Sequence, residues 1–279
     1  MRRQRLIGLG TAVLAVCVVQ PVPAQVPLAP LSASGRSVTP VFEGWYVNPD
    51  GTFSISFGYF NRNSEEVLEI PIGPDNFIEP GDANQGQPTV FHTRRHWGVF
   101  AVKVPADFGD KEVIWTLKIR GETFAIPGSL HRDWQIDALV GEAGSDNTPP
   151  ALKFEENGPD GRGPAGITVG PLKASVGKPI TLTVWATDDG KSATSVAGAA
   201  RGGIPVTLTW FKHQGHGDVT FSPPTSRLTP TGGKVTATAT FSKPGDYIVR
   251  VRANDSPVTS AGHAQCCWTN GFVKVTVTQ

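Results

Sequence analysis

Apolar and polar residues change places at every position along most of this chain, the period of a strand that buries one face. Phe53, Ile55, Phe57 and Tyr59 alternate with Thr52, Ser54, Ser56 and Gly58, and Val113, Trp115, Leu117 and Ile119 repeat the pattern. Strands are predicted at Val41–Val47, Phe53–Phe60, Glu66–Pro71, Thr89–His92, Trp97–Val104, Val113–Arg120 and Thr123–Ile126. Asn48-Pro49-Asp50-Gly51 has turn chemistry, because Pro fixes φ and Asp-Gly tolerates positive φ. The first two strands are therefore a hairpin, and Gly121 marks a second one. With no amphipathic helix among them, these strands predict a β-sandwich domain over 38–140. Arg132–Val140 reads as a short helical turn or a last strand of that domain.

A polar, turn-rich linker follows at 141–150 and ends in two prolines. Beyond it the alternation resumes, with strands predicted at Ile167–Val169, Pro179–Thr187, Val206–Lys212, Val219–Phe221, Val235–Phe241, Tyr247–Ala253 and Phe272–Thr278. Glu156–Gly166 and Asp189–Ile204 read as loops. The sharpest stretch is Lys243–Asp255. A Pro-Gly turn feeds a strand with Tyr247, Val249, Val251 and Ala253 on one face and Ile248, Arg250 and Arg252 on the other. The fold class is all-β, with two β-sandwich domains in tandem and the second spanning 151–279.

The N-terminus changes the compartment. Basic Met1–Arg5, apolar Leu6–Val19 and the small residue closing Val22-Pro23-Ala24 follow the signal-peptide plan over 1–24, and the apolar run is short for a membrane span. Leu14-Ala15-Val16-Cys17 departs from a lipoprotein box at Val16. A Pro, Ala and Ser-rich linker over 25–37 comes next. The protein is expected to be exported, to the periplasm, the cell surface or the medium. No other segment is apolar enough to span a membrane, and roughly 255 residues remain after the leader, enough for two domains. A net charge of +1 gives no electrostatic ground for binding nucleic acid. An oxidising destination makes a disulfide available to Cys266 and Cys267, the cysteines that survive cleavage.

Between Lys173 and Thr278 the chain resembles bacterial immunoglobulin-like modules of the PKD-type and cadherin-like kind. The residues that carry the likeness are Ala174–Leu182, Trp185–Gly190, Val206–Trp210 and Pro244–Tyr247 leading into Ala253-Asn254-Asp255. Tyr247, just past a Gly corner, resembles the tyrosine corner of such sandwiches. The resemblance implies an extracellular module for adhesion, spacing or ligand binding. Val249 stands where antibody-type domains carry a cysteine, so no inter-sheet disulfide is expected. The first domain resembles no family.

Candidate chemistry is sparse. Adjacent Cys266 and Cys267 close essentially no loop, so a bridge between them adds little stability and points to a stiffened binding loop, an intermolecular bond or metal ligation. His213, His216, His263, Cys266 and Cys267 are the candidate ligands for copper or zinc. Strand order places the turn bearing His213 and His216 opposite the cysteine loop, which argues against one joint site. Asp188, Asp189 and Asp255 resemble the calcium carboxylates of cadherin-like modules, although calcium wants more oxygens than three scattered aspartates supply. Arg94 and Arg95, in the basic run His92–His96, are candidate contacts to an acidic group, and Trp268 to a ligand. Trp45, Tyr46, Trp97 and Trp134 are candidates for a sugar-stacking platform and equally for core packing. No Gly-x-Ser-x-Gly, phosphate loop or His-Glu-x-x-His occurs. The expected function is a non-catalytic binding or structural module with a protein or glycan partner. The alternatives are a metal-binding protein and a carbohydrate-binding accessory module.

Overall fold

A computed structural model describes residues 32–141, 146–191, 204–255 and 267–279. The leader, His263 and Cys266 lie outside these residues. Regular structure within them is β throughout, apart from 3₁₀ turns at Arg132–Trp134 and Ala138–Val140. The first of these turns follows the last strand of the first sandwich, which decides between the two readings of that segment.

The first sandwich comprises β1 (Val38–Val47), β2 (Phe53–Asn61), β3 (Leu68–Glu69), β4 (Asn76–Glu79), β5 (Val90–Phe91), β6 (Arg94–Val104), β7 (Val113–Ile119) and β8 (Glu122–Gly128). Sheets β1-β2-β6 and β4-β7-β8 face one another, and β3 and β5 form a small ribbon. The alternating residues fill the space between them. Phe57 stacks on Phe100 at 5.6 Å, and Trp115 meets Phe100 edge-on at 5.1 Å. Trp115 is wholly buried, so its Nε1–H needs a partner, and it donates to Asn76 Oδ1 at 3.0 Å. The Asn76 amide in turn donates to the carbonyls of Ile70 and Pro88.

The second sandwich comprises β9 (Ala151–Lys153), β10 (Ile167–Ser175), β11 (Ile180–Thr187), β12 (Thr207–Gln214), β13 (Val219–Ser222), β14 (Thr225–Arg227), β15 (Gly232–Phe241), β16 (Gly245–Asn254) and β17 (Trp268–Thr278). Its sheets run β9-β11-β15-β13 and β10-β17-β16-β12-β14, with β10 parallel to β17. This is an immunoglobulin-like arrangement, with the opening strands split between the sheets. Tyr247 makes the tyrosine corner, its hydroxyl donating to the Lys243 carbonyl at 2.8 Å. Trp210 and Val249 are core, as their alternation predicts. The chain departs from the usual order after β12, because β13 joins the β15 edge before β14 returns to β12.

One face differs from expectation. Ile248, Arg250 and Arg252 alternate with the core residues of β16, which leads one to expect the solvent on their side. The first sandwich covers them instead. Phe272 belongs to the hydrophobic core of the first sandwich, and Ile248 packs against it. Ser32–Gln279 accordingly pack as one compact unit. Backbone bonds tie the halves together. Thr89 donates its N–H to the His213 carbonyl at 2.9 Å, and Ala165 to the Tyr46 hydroxyl at 2.8 Å.

Candidate functional site

Asn270, on β17, is the hinge pin of this seam. It is completely buried, and its Nδ2 donates to the carbonyls of Gly98 at 2.7 Å and Pro164 at 2.9 Å, with Val99 at 3.3 Å. Its Oδ1 accepts from Arg250 Nη1 at 2.9 Å. Trp268, two residues earlier, is also buried and donates from Nε1 to the Gly98 carbonyl at 3.3 Å. Gly98 has φ +44°, and a Cβ there would lie 2.6 Å from the Trp268 ring, so glycine is what lets the indole seat. The expectation that Trp268 contacts a ligand is therefore corrected: the ring is a plug between the sandwiches.

Around Asn270 lies a concentration of basic side chains. Arg250 stacks over Phe211 at 4.6 Å from the ring centroid and Arg252 at 5.7 Å. His92 and His96 approach the same ring at 5.3 and 5.8 Å. Burial, reinforced by the arginine charges, pushes His92 down to about 4 and His213 down to about 3, and holds His96 well below its usual range. Burial likewise pushes Arg250 down to about 9. His213 Nε2 donates to the Gly86 carbonyl at 2.8 Å, which fixes its tautomer and leaves the ring a structural role in the seam. Lys212 pairs with Glu69 at 2.6 Å across it.

Of the other basic candidates, Arg95 is engaged and Arg94 is exposed. Arg95 pairs with the buried Glu43 at 2.6 Å and lies over Trp97. Burial, partly countered by that arginine, pushes Glu43 up to about 7. Arg94 opens β6 with φ 70° and covers Phe60. The expected sugar platform does not assemble: Trp45 and Tyr46 are buried, while Trp134 is exposed.

A second cluster forms where the 146–150 segment meets the loops after β11 and β16. Asp189 accepts from the N–H and hydroxyl of Thr148, and Lys191 Nζ holds Asp146 at 2.6 Å. Asp255 is wholly buried and neither of its oxygens completes a hydrogen bond of normal geometry, although Asp188 and Asn147 face it. Burial first, and the Asp188 charge second, push Asp255 up to about 8. Asp188 is raised as well, mainly by burial. Sequence reasoning picked out both aspartates but not Asn147, whose Asp-Asn-Thr-Pro-Pro setting reads simply as linker.

Among the described residues, the copper or zinc candidates His213, His216 and Cys267 do not converge. Cys267 adjoins Trp268, which pairs with Asn254, whereas Gln214, beside His213, pairs with Ile248. Six residues of β16 separate these ends, roughly 20 Å. His216 instead stacks on Tyr247. Cys267 is disulfide-bonded to a cysteine outside the described residues, and a disulfide sulfur is not the thiolate that binds copper or zinc. Among the described residues, no group of three or more His, Cys, Asp or Glu is placed to hold a metal ion.

No protein-family profile matches this chain, and no curated protein does. Among solved structures it is similar to domains 4 and 5 of the S-layer protein SbsC, at 10% identity and a TM-score of 0.26 over 61% of this chain and 66% of that one. It is similar also to the D00-D0 domain of Intimin, at 13% identity and a TM-score of 0.27 over 86% of this chain and 100% of that one. The fold assignment rests on the sheets themselves.

Proposed function

We propose that this is an exported, non-catalytic structural module, a two-sandwich spacer whose halves act as one rigid body. The observation that carries the reading is the seam. A sheet face that could have met solvent is covered, and a fully buried Asn270 joins two carbonyls of the first sandwich, Gly98 and Val99, to the Pro164 carbonyl and the Arg250 guanidinium of the second. Such a network suits a part that must hold an orientation, since buried polar groups are costly unless every partner is in place. The basic, then apolar, then small-residue N-terminus supports export. Fractionation of the native host tests this reading together with activity assays. The expected result is a processed chain beginning near Gln25 outside the cytoplasm and no turnover of glycosides, esters or peptides. Retention in the cytoplasm, or turnover of any of these, would contradict it.

A second reading is favoured by the Asp188–Asp255 pair. Its donors are hard oxygens, the class calcium prefers, and a dication there would offset the repulsion of two facing carboxylates. Addition of millimolar calcium after EGTA treatment is expected to raise the melting temperature, by more than magnesium does. Equal effects of the two ions would remove calcium from the account.

A further inference from the structure

Among the described residues, five lysines and arginines pair with a carboxylate. Arg95 has Glu43, Arg120 has Glu66, Lys103 has Asp50, Lys191 has Asp146 and Lys212 has Glu69. Arg250 and Arg252 lie deeper than most of these, and among the described residues neither has a carboxylate partner. Glu43 and Glu69 are committed to Arg95 and Lys212. Arg250 is 2% exposed. A buried guanidinium keeps its charge, so the cost of removing it from water persists unless a counter-charge is present.

The loose donors gather around one ring. Arg250 spends Nη1 on Asn270 but its Nε has no acceptor, and Arg252 Nε has none either. Both guanidinium carbons lie within 6 Å of the Phe211 centroid. Tyr59, wholly buried and stacked on His96 at 5.0 Å, accepts from the His92 N–H and retains its own hydroxyl proton to donate. His96 donates from Nε2 to the Thr93 carbonyl, leaving Nδ1 without a partner. The cluster therefore offers two positive charges and a hydroxyl donor, with two imidazoles against the same ring and no carboxylate among the described residues paired to either arginine.

We propose that the seam between the sandwiches is a binding site for one small inorganic anion, held by Arg250 and Arg252 with the Tyr59 hydroxyl. Fork-shaped guanidinium donors suit chloride, sulfate or phosphate, and charge-assisted bonds to such an ion are about twice as strong as neutral ones. The near-complete burial of Arg250 selects a compact free ion over a charged group on a polymer. Arg252, which keeps some exposure, marks the side from which the ion enters. An ion there touches residues of both halves and so fastens the seam.

The test uses the full exported chain in a buffer whose only anion is bulky gluconate, with total ionic strength held constant. Chloride, sulfate and phosphate are titrated in separate arms while thermal unfolding is followed. At least one arm is expected to raise the melting temperature saturably, by roughly 5–10 °C at a hundredfold excess over its dissociation constant. Arg252→Met is expected to abolish the saturable rise. Chloride-35 line broadening by the wild-type chain, relieved by the arm that stabilises best, gives the same answer without a variant. A melting temperature that moves equally in wild type and Arg252→Met, or no saturable response and no broadening in the wild type, overturns the proposal.

Discussion

Asn270→Ala is expected to destabilise the protein by about 3–5 kcal/mol, the largest loss of any single polar substitution. The change removes four hydrogen bonds at once and leaves both kinds of partner stranded. The Val99 and Pro164 carbonyls lose this donor, the Gly98 carbonyl keeps only the Trp268 indole, and the Arg250 guanidinium loses its one acceptor among the described residues. Asn270→Asp should fare little better. It supplies a counter-charge to Arg250 but takes away both N–H donors, so three carbonyls then face a carboxylate. Chemical denaturation measures both variants. A loss under 1 kcal/mol for Asn270→Ala would mean that the seam is not held by this residue.

The second large effect is a pH dependence. Asp255 has a folded pKa of about 8 and an unfolded one of about 4. Between those values the folded state holds a proton that the unfolded state has lost. The unfolded state binds fewer protons, so stability must fall as pH rises. The contribution of the neutral carboxyl is complete below pH 4 and gone once pH passes 8. With calcium removed, on the order of 3 kcal/mol should disappear between pH 5 and pH 8. Glu43, raised to about 7, acts in the same direction, so comparison with Asp255→Asn isolates the share of Asp255. That variant should show a shallower slope and be more stable than wild type at pH 8. If calcium occupies the Asp188–Asp255 pair, the wild-type slope should flatten when calcium is added while that of Asp255→Asn should not move. Parallel slopes for the two proteins without calcium would show that Asp255 does not carry the raised carboxyl.

The strands were legible wherever one face was apolar and the other polar. β2, β7, β11 and β16 announce themselves because side chains switch sides at each residue. β4, β9 and β14 were not legible, for a physical reason. Each is short, and in β4 one of the two buried positions is Asn76, a polar residue held by Trp115, 39 residues away, and by the carbonyls of Ile70 and Pro88. β6 begins at Arg94 rather than Trp97 because the run His92–His96 reads as a charged turn until one sees the covering sheet. The tyrosine corner was readable from Tyr247 and its Gly alone. The seam was not. Alternation reports that Ile248, Arg250 and Arg252 share a face, but solvent and a second domain accept that face equally well, and arginine usually argues for solvent. Asn270 gave no signal at all, since its importance lies in carbonyls more than a hundred residues away in sequence. The strongest local oddity, Cys266-Cys267, drew attention away from its neighbour Trp268, which performs the packing.

Differential scanning calorimetry of the processed chain tests the central claim most directly. If the seam makes one rigid body of the two sandwiches, they unfold together, in a single transition whose calorimetric and van't Hoff enthalpies agree. Two resolved transitions, or a calorimetric enthalpy near twice the van't Hoff value, would contradict it.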